Sequence, residues 1–366
     1  VCILPGHAKG SISIAVGYGR TSSGRIGNGV GSNAYLLRTS DALDFGTGAT
    51  VTKISDKAKL ALTHDHWSME GRPLVREATL ADFIKEPDFA KKPDEEIKPL
   101  DIYSHPVKYT EGNQWGMAID LNTCTGCNAC VIACQSENNI PIVGKDMVAR
   151  GREMHWIRMD RYFTNVKPTK FAIGGAVDQA IDEDKMMAVQ QPMTCQQCEN
   201  APCEEVCPVA ATVHNEEGLN TMAYNRCVGT RYCANNCPFK VRRFNYLNWH
   251  KGISEVEQMQ HNPEVTVRMR GVMEKCTYCT QRISAAKHQA KVEGHRPIKD
   301  GEIVPACAQV CPADAIVFGN INDPESQVAK LKKQERNYQL LLELNVSPRT
   351  SYLAKLRNTN EELAKA

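Results

Sequence analysis

Fifteen of the sixteen cysteines in this 366-residue chain lie between Cys124 and Cys311, gathered in four tight groups. The first, CTGCNACVIAC, carries Cys124, Cys127, Cys130 and Cys134. The second, CQQCENAPCEEVCP, carries Cys195, Cys198, Cys203 and Cys207. The third, CVGTRYCANNCP, carries Cys227, Cys233 and Cys237, and places Thr230 where the repeat calls for a cysteine. The fourth is divided between CTYC (Cys276, Cys279) and CAQVCP (Cys307, Cys311). Thiolates are soft donors, and three of them on one short loop suit three corners of an iron–sulfur cube. Zinc sites take two separated C-x2-C pairs rather than three cysteines within seven residues. C-x2-C-x2-C spacing strains most disulfide pairings. No C-x2-C is followed by His, which excludes covalent c-type haem.

The first group has the ligand spacing of bacterial ferredoxins, and the other three vary it by insertion or substitution. In two-cluster ferredoxins the fourth cysteine of a group ligates the partner cluster, so groups work in pairs. Cys227 follows Cys207 by only twenty positions, across the hairpin-like TVHNEEGLNTM, so the second and third groups form one compact unit. The first and fourth then pair around it. The expected [4Fe–4S] ligand sets are A (Cys124, Cys127, Cys130, Cys311), B (Cys276, Cys279, Cys307, Cys134) and C (Cys195, Cys198, Cys203, Cys237). Set D has Cys227, Cys233 and Cys207, with Thr230 at the missing ligand position. A neutral hydroxyl binds iron in a sulfide cube far more weakly than thiolate, so a [3Fe–4S] cluster is expected at D. Cluster type and net charge help set reduction potential, which makes D the expected high-potential member, suited to a mild donor such as a quinol. Iron held through these clusters is the only metal expected. Pro208, Pro238 and Pro312 follow the last cysteine of three groups and favour an abrupt change of direction. KVRRFNY brings Lys240, Arg242 and Arg243 beside C or D, either to raise a potential or as a docking or solvated patch.

The elements that must position these groups divide the sequence into four stretches. Residues 1–78 read as β-rich: Ile12, Ile14, Val16 and Tyr18 alternate as in a half-buried strand. The glycines of SGRIGNGVGSNAY are expected to form turns, since GxGxxG is absent. His64 and His66 fit alternation on a strand better than metal ligation, and Cys2 fits a buried structural thiol among Val1, Ile3 and Leu4. The start, VCILPGHAKG, has no Met and no signal-peptide pattern, as expected of a processed chain, a split subunit or the end of a longer protein. Residues 79–112, with Pro87, Pro93, Pro99 and Pro106, read as an extended linker. Residues 113–322 form the cluster domain, with strands expected in WGMAIDLN, MHWIRMDRYF and AIVFGNIND. Residues 323–366 read as a helical arm opened by Asp323 and Pro324, expected to cross a neighbour or stand in solvent. The fold class is thus α+β. A formal net charge of +2 gives no support for nucleic-acid binding, and no run of eighteen apolar residues spans a membrane.

The four groups, with a non-cysteine at the second position of the third, resemble the iron–sulfur subunits of the molybdopterin oxidoreductase family. CVGTRYCANNCPFKVRRFN, CTGCNACVIACQSENNIPIVGK and ELNVSPRTSYLAKLRN are more closely similar to the iron–sulfur (B) subunit of bacterial alternative complex III. That complex is a quinol oxidase that passes electrons to cytochrome c or to a terminal oxidase. GYGRTSSGRIGNGVGSNAYLLRTSD and MEGRPLVREATL resemble the last domain of its molybdopterin-enzyme-like half, which carries no molybdenum cofactor. The resemblance covers nearly the whole chain, although most of that catalytic-like half is missing. It implies a tandem ferredoxin-like four-cluster domain, preceded by a β-rich fragment of a molybdopterin-enzyme-like barrel domain and followed by a helical arm. It further implies a non-catalytic electron-transfer subunit with three [4Fe–4S] clusters, one [3Fe–4S] cluster and no molybdopterin in this chain. The implied location is peripheral, on the periplasmic face of a membrane. Implied partners are integral membrane quinol-binding subunits, a multihaem cytochrome c and the remainder of the molybdopterin-like subunit. Two alternatives are the cluster subunit of a molybdenum-dependent polysulfide, dimethyl sulfoxide or nitrate reductase, and a soluble polyferredoxin. The β-rich front and the arm speak against the polyferredoxin.

Overall fold

The computed structural model describes residues 1–4, 6–64, 69, 72–91, 109–165 and 186–358. The runs of apolar and β-branched residues flanking the cysteine groups form the strands expected of them. WGMAID becomes a strand, Trp115–Asp120, buried along nearly its whole length, and IVFGN becomes Ile316–Asn320. They pair antiparallel with Met117 opposite Phe318. Side chains on alternate positions leave the sheet on opposite faces. Trp115 accordingly stacks on Phe318 at 5.8 Å, and Tyr278 meets the same ring edge-on at 5.3 Å. MHWIRMDRYF supplies the strand Arg158–Asn165, paired antiparallel with Met186–Met193. TVHNEEGLNTM folds as a hairpin of Thr212–His214 against Asn220–Met222.

The tail corrects the expectation of a helical arm. Among its described residues only Gln327–Lys333 is α-helical, capped by the Ser326 side chain, and a 3-10 turn follows at Leu342–Leu344. The backbone then enters the core. Thr350–Leu353 lies parallel to Trp115–Asp120, with Thr350 opposite Met117 and Tyr352 opposite Ile119. The strand order of the central sheet is Asn337–Tyr338, Thr350–Leu353, Trp115–Asp120, Ile316–Asn320. All four residues of Thr350–Leu353 are buried, because the strand is covered on both faces and flanked on both edges. Charge-rich neighbours, Lys332 and Arg349 among them, hid this in the composition of the tail. Residues 359–366 lie outside the described residues.

The front segment also departs from expectation. Among the described residues before Glu77 there is no strand, only a bridge between Thr39 and Ala42 and short helical turns. Ile12, Ile14, Val16 and Tyr18 are 52%, 60%, 50% and 53% exposed. Alternation marks a strand only where another strand takes up its hydrogen bonds, and no described segment does so here. Cys2 is exposed rather than buried, since Val1 and Ile3 beside it are themselves exposed and build no core around it among the described residues. In the expected linker, Leu80–Lys85 is a short helix capped by Thr79. Pro93, Pro99 and Pro106, and likewise His66, lie outside the described residues. Glu77–Thr79 pairs with Lys355–Arg357, tying the end of the front segment to the tail. Among the described residues no helix is long and apolar enough to cross a membrane.

Candidate metal centres

The ligand loops owe their shape to residues with positive φ. In the first group Gly126 (φ 72°) and Asn128 (φ 64°) bracket Cys127. In the third, Gly229 (φ 74°) and Arg231 (φ 64°) bracket Thr230. Thr230 therefore has the backbone setting of Cys127, between two conformations that L-residues other than glycine adopt reluctantly. Helices start directly after each loop: Ala129–Glu137 carries Cys130 and Cys134, and Tyr232–Asn236 carries Cys233. Each Cys-Pro opens a turn, with Ala210, Lys240 and Asp314 at φ 46°, 52° and 46° three residues after Cys207, Cys237 and Cys311. These turns aim amides back at sulfur. Ala211 N–H donates to Cys207 Sγ at 3.2 Å and Ala315 N–H to Cys311 Sγ at 3.3 Å.

Four sulfur neighbourhoods result, and each gathers one of the expected sets. Burial, then the fields of Cys124, Cys127 and Cys311, push the Cys130 thiol up to about 12. Burial, then Cys276, Cys279 and Cys307, lift Cys134 well above the ordinary thiol range. Cys195, Cys198, Cys203 and Cys237 line one pocket. Cys207, Cys227, Cys233 and Thr230 line another. All sixteen cysteines are free thiols. Among the described residues no three His, Cys, Asp or Glu side chains converge tightly enough for a single ion. Sulfurs spread around a void suit a polyatomic iron–sulfur core better than one zinc ion, which wants four donors close together. Burial raises nine of these thiols above their ordinary range, and thiols must give up their protons to bind a metal core. Cys207 differs: burial raises its thiol, but the amides of Val209, Ala211 and Thr212 outweigh that and leave it lowered.

Sets B and C are buried at every cysteine, whereas A is exposed at Cys127 and D at Thr230. Neighbouring sets are close enough to feel each other's charge, Cys307 with Cys130 and Cys276 with Cys195. Of KVRRFNY, only Arg242 reaches a thiol, donating to Cys203 Sγ at 3.2 Å. Arg243 pairs with Glu153 at 2.6 Å, and Lys240 donates to the Asn235 carbonyl. Next to Thr230 a cleft of about 290 Å³ is lined by Arg152, Arg231, Arg243, Phe244 and Tyr246. Sequence reasoning missed Asn138, which donates to Cys134 Sγ at 3.6 Å and Cys279 Sγ at 3.8 Å. It also missed Lys275, which reaches Cys195 Sγ at 3.6 Å. The position of Lys275 immediately before CTYC was the available signal. His64 accepts a hydrogen bond from the Arg161 amide.

Two families described as 4Fe-4S dicluster domains match the sequence, one over residues 123–211 and one over 186–268. The protein is 39% identical over 247 residues to the menaquinone reductase iron–sulfur cluster-binding subunit of Nitratidesulfovibrio vulgaris, covering 66% of this chain and 89% of that protein. It is 31% identical over 271 residues to the Hdr-like menaquinol oxidoreductase iron–sulfur subunit 1 of Archaeoglobus fulgidus, covering 69% and 87%. The B subunit of the polysulfide reductase of Wolinella succinogenes is 31% identical over 218 residues, covering 60% and 82%.

Proposed function

This protein belongs to the iron–sulfur subunits of the molybdopterin oxidoreductase family, and we propose that it is the electron-transfer subunit of a membrane-associated, quinol-linked respiratory complex. Sets A, B and C would each hold a [4Fe–4S] cluster, and Cys207, Cys227 and Cys233 a [3Fe–4S] cluster. When bound, such clusters supply reversible one-electron transfer. The protein's own residues supply the rest: thiol ligands, amides and Asn138 directed at sulfur, and burial around B and C.

The observation that carries this assignment is the burial of the sets. The two that reach the surface, at Cys127 and Thr230, flank two that are wholly enclosed. Cys130 lies near Cys307 and Cys195 near Cys276, so the enclosed sets bridge the exposed ones. Two surface terminals joined through two buried sets suit a relay between partners. The Thr230 terminal is assigned to the quinol side. The cleft beside it, rich in Arg and aromatic side chains, suits a docking partner there.

The finer identity is an alternative complex III, on the periplasmic face. There the subunit would dock on integral membrane quinol-binding subunits and beside a multihaem cytochrome c. Support for it comes from the CVGTRYCANNCPFKVRRFN and ELNVSPRTSYLAKLRN motifs. The likeness to a polysulfide reductase subunit favours a second possibility, a molybdopterin-bearing catalytic partner. Purification of the native complex, with iron, molybdenum and haem quantified and paramagnetic resonance recorded, separates them. The expected result is about fifteen irons per chain from three four-iron clusters and one three-iron cluster, a [3Fe–4S] signal in the oxidised protein, and co-purifying c-type haem. Molybdenum without haem would transfer the protein to the reductase class. Zinc in place of iron would end both.

A further inference from the structure

Five cationic side chains are more than nine-tenths buried among the described residues, and three of them carry a carboxylate. Arg243 pairs with Glu153 at 2.6 Å, Arg268 with Glu274 at 2.8 Å and Arg349 with Glu199 at 3.0 Å. Lys275, fully buried, and Arg242, 6% exposed, have no carboxylate within ion-pair distance among the described residues. Lys275 donates to the Cys276 carbonyl at 3.0 Å and to Cys195 Sγ at 3.6 Å. Arg242 donates to Cys203 Sγ at 3.2 Å, to Met222 Sδ at 3.3 Å and, weakly, to Thr212 and Asn220 side-chain oxygens. Both cations thus contact thiols of the same set, C, from different elements.

An isolated buried cation is strongly unfavourable, so its counter-charge must be supplied locally. Four thiolates around an iron–sulfur core carry net negative charge, and that charge grows by one on reduction. Among the described residues the other two four-cysteine sets, A and B, have no uncompensated cation of this kind. Arg282 near set B is already paired with Glu137, and the half-buried Lys355 near set A donates to the Leu121 carbonyl.

We propose that Lys275 and Arg242 are the counter-ions of set C, and that their charge makes the cluster held there the most readily reduced four-iron centre of the protein. Arg242 also lines the pocket of set D, so its charge reaches both sets, while Lys275 lines neither pocket and meets C at Cys195. Electron density is thereby held in the enclosed set next to the exposed terminal rather than released at once towards A. This rests on the ligand sets proposed above.

The test is a potentiometric titration of the iron-loaded complex, followed by paramagnetic resonance, in Lys275→Met, Arg242→Met, Lys275→Arg and Arg242→Lys. One and the same four-iron couple should fall in both Met variants by at least tenfold in its reduced-to-oxidised ratio, about 59 mV for one electron. The three-iron couple should move only in the Arg242 variant. The charge-conserving variants should stay near wild type, and loss of four irons from the Met variants alone would equally show that charge is what the site requires. Full iron with unmoved couples, or equal effects in Met and charge-conserving variants, overturns the counter-ion role and leaves the ligand sets standing. A wild-type iron count far from about fifteen overturns the sets themselves and the counter-ions with them.

Discussion

The guanidinium of Arg349 occupies the space that a Cβ on Gly218 would need. Arg349 is 2% exposed and donates to the carbonyls of Trp115 and Glu217 and to Gln114 Oε1. It thereby rivets the tail to the central strand and to the turn between Thr212–His214 and Asn220–Met222. Gly218 has φ 73°, so a side chain there is disfavoured twice, by backbone and by collision. Gly218→Ala should destabilise the iron-loaded protein by about 3–5 kcal/mol, the range for disrupting a buried charged network. Thermal unfolding checks this, and a melting temperature within about a degree of wild type would contradict it.

Thr230→Cys should complete set D. The loop already has the conformation that holds Cys127, so the new thiol needs no backbone change. Iron should rise from about fifteen to about sixteen per chain, the [3Fe–4S] signal should vanish from the oxidised protein, and the potential at D should fall. An unchanged spectrum and potential would show that Thr230 does not stand at the ligand position.

Glu274 holds together the wall behind sets B and C. It accepts from Arg268 at 2.8 and 3.0 Å, from Trp156 Nε1 at 3.0 Å and from Asn245 at 2.8 Å. Glu274→Gln leaves Arg268 charged and enclosed, at a cost of about 3–5 kcal/mol. Because Lys275 and Cys276 follow directly, loss of iron should accompany the loss of stability. Glu274→Met combined with Arg268→Met should recover part of both. If the single variant proves as stable as wild type in denaturant titration, the pair is not structural.

Lys332 gives the fold a pH dependence. Its ammonium donates to the Arg349 carbonyl at 2.8 Å and Ser351 Oγ at 3.0 Å, and burial, with Arg349 nearby, pushes it down to about 7 from 10.5. Between these values the unfolded state binds more protons than the folded one, so this group's contribution to stability rises with pH across that window. Below about 7 both states are protonated and the contribution is flat. Denaturant unfolding at about pH 6 and about pH 9 should show the rise in wild type and a smaller one in Lys332→Met. Parallel behaviour of the two proteins would assign the slope elsewhere.

The ligand groups were legible because a loop that wraps one cluster face needs its thiols at short, fixed intervals, and spacing is a property of the sequence itself. WGMAID, AIVFGN and the TVHNEEGLNTM hairpin were legible for a related reason: their alternation and turn residues act over a few positions. The front segment shows the limit of that logic. Ile12, Ile14, Val16 and Tyr18 have the pattern of a strand, yet they remain exposed because a strand also needs a partner.

What the primary structure determined alone was the four cysteine groups and the odd residue, Thr230, among them. Only tertiary structure decided that TSYL leaves the tail to lie beside Trp115–Asp120, and that B and C are enclosed while A and D reach the surface. It alone also set Lys275 and Arg242, rather than Lys240 or Arg243, against sulfur. Pairing register, burial and the direction of a charge depend on residues brought together from distant parts of the polypeptide, and local spacing carries no record of those meetings.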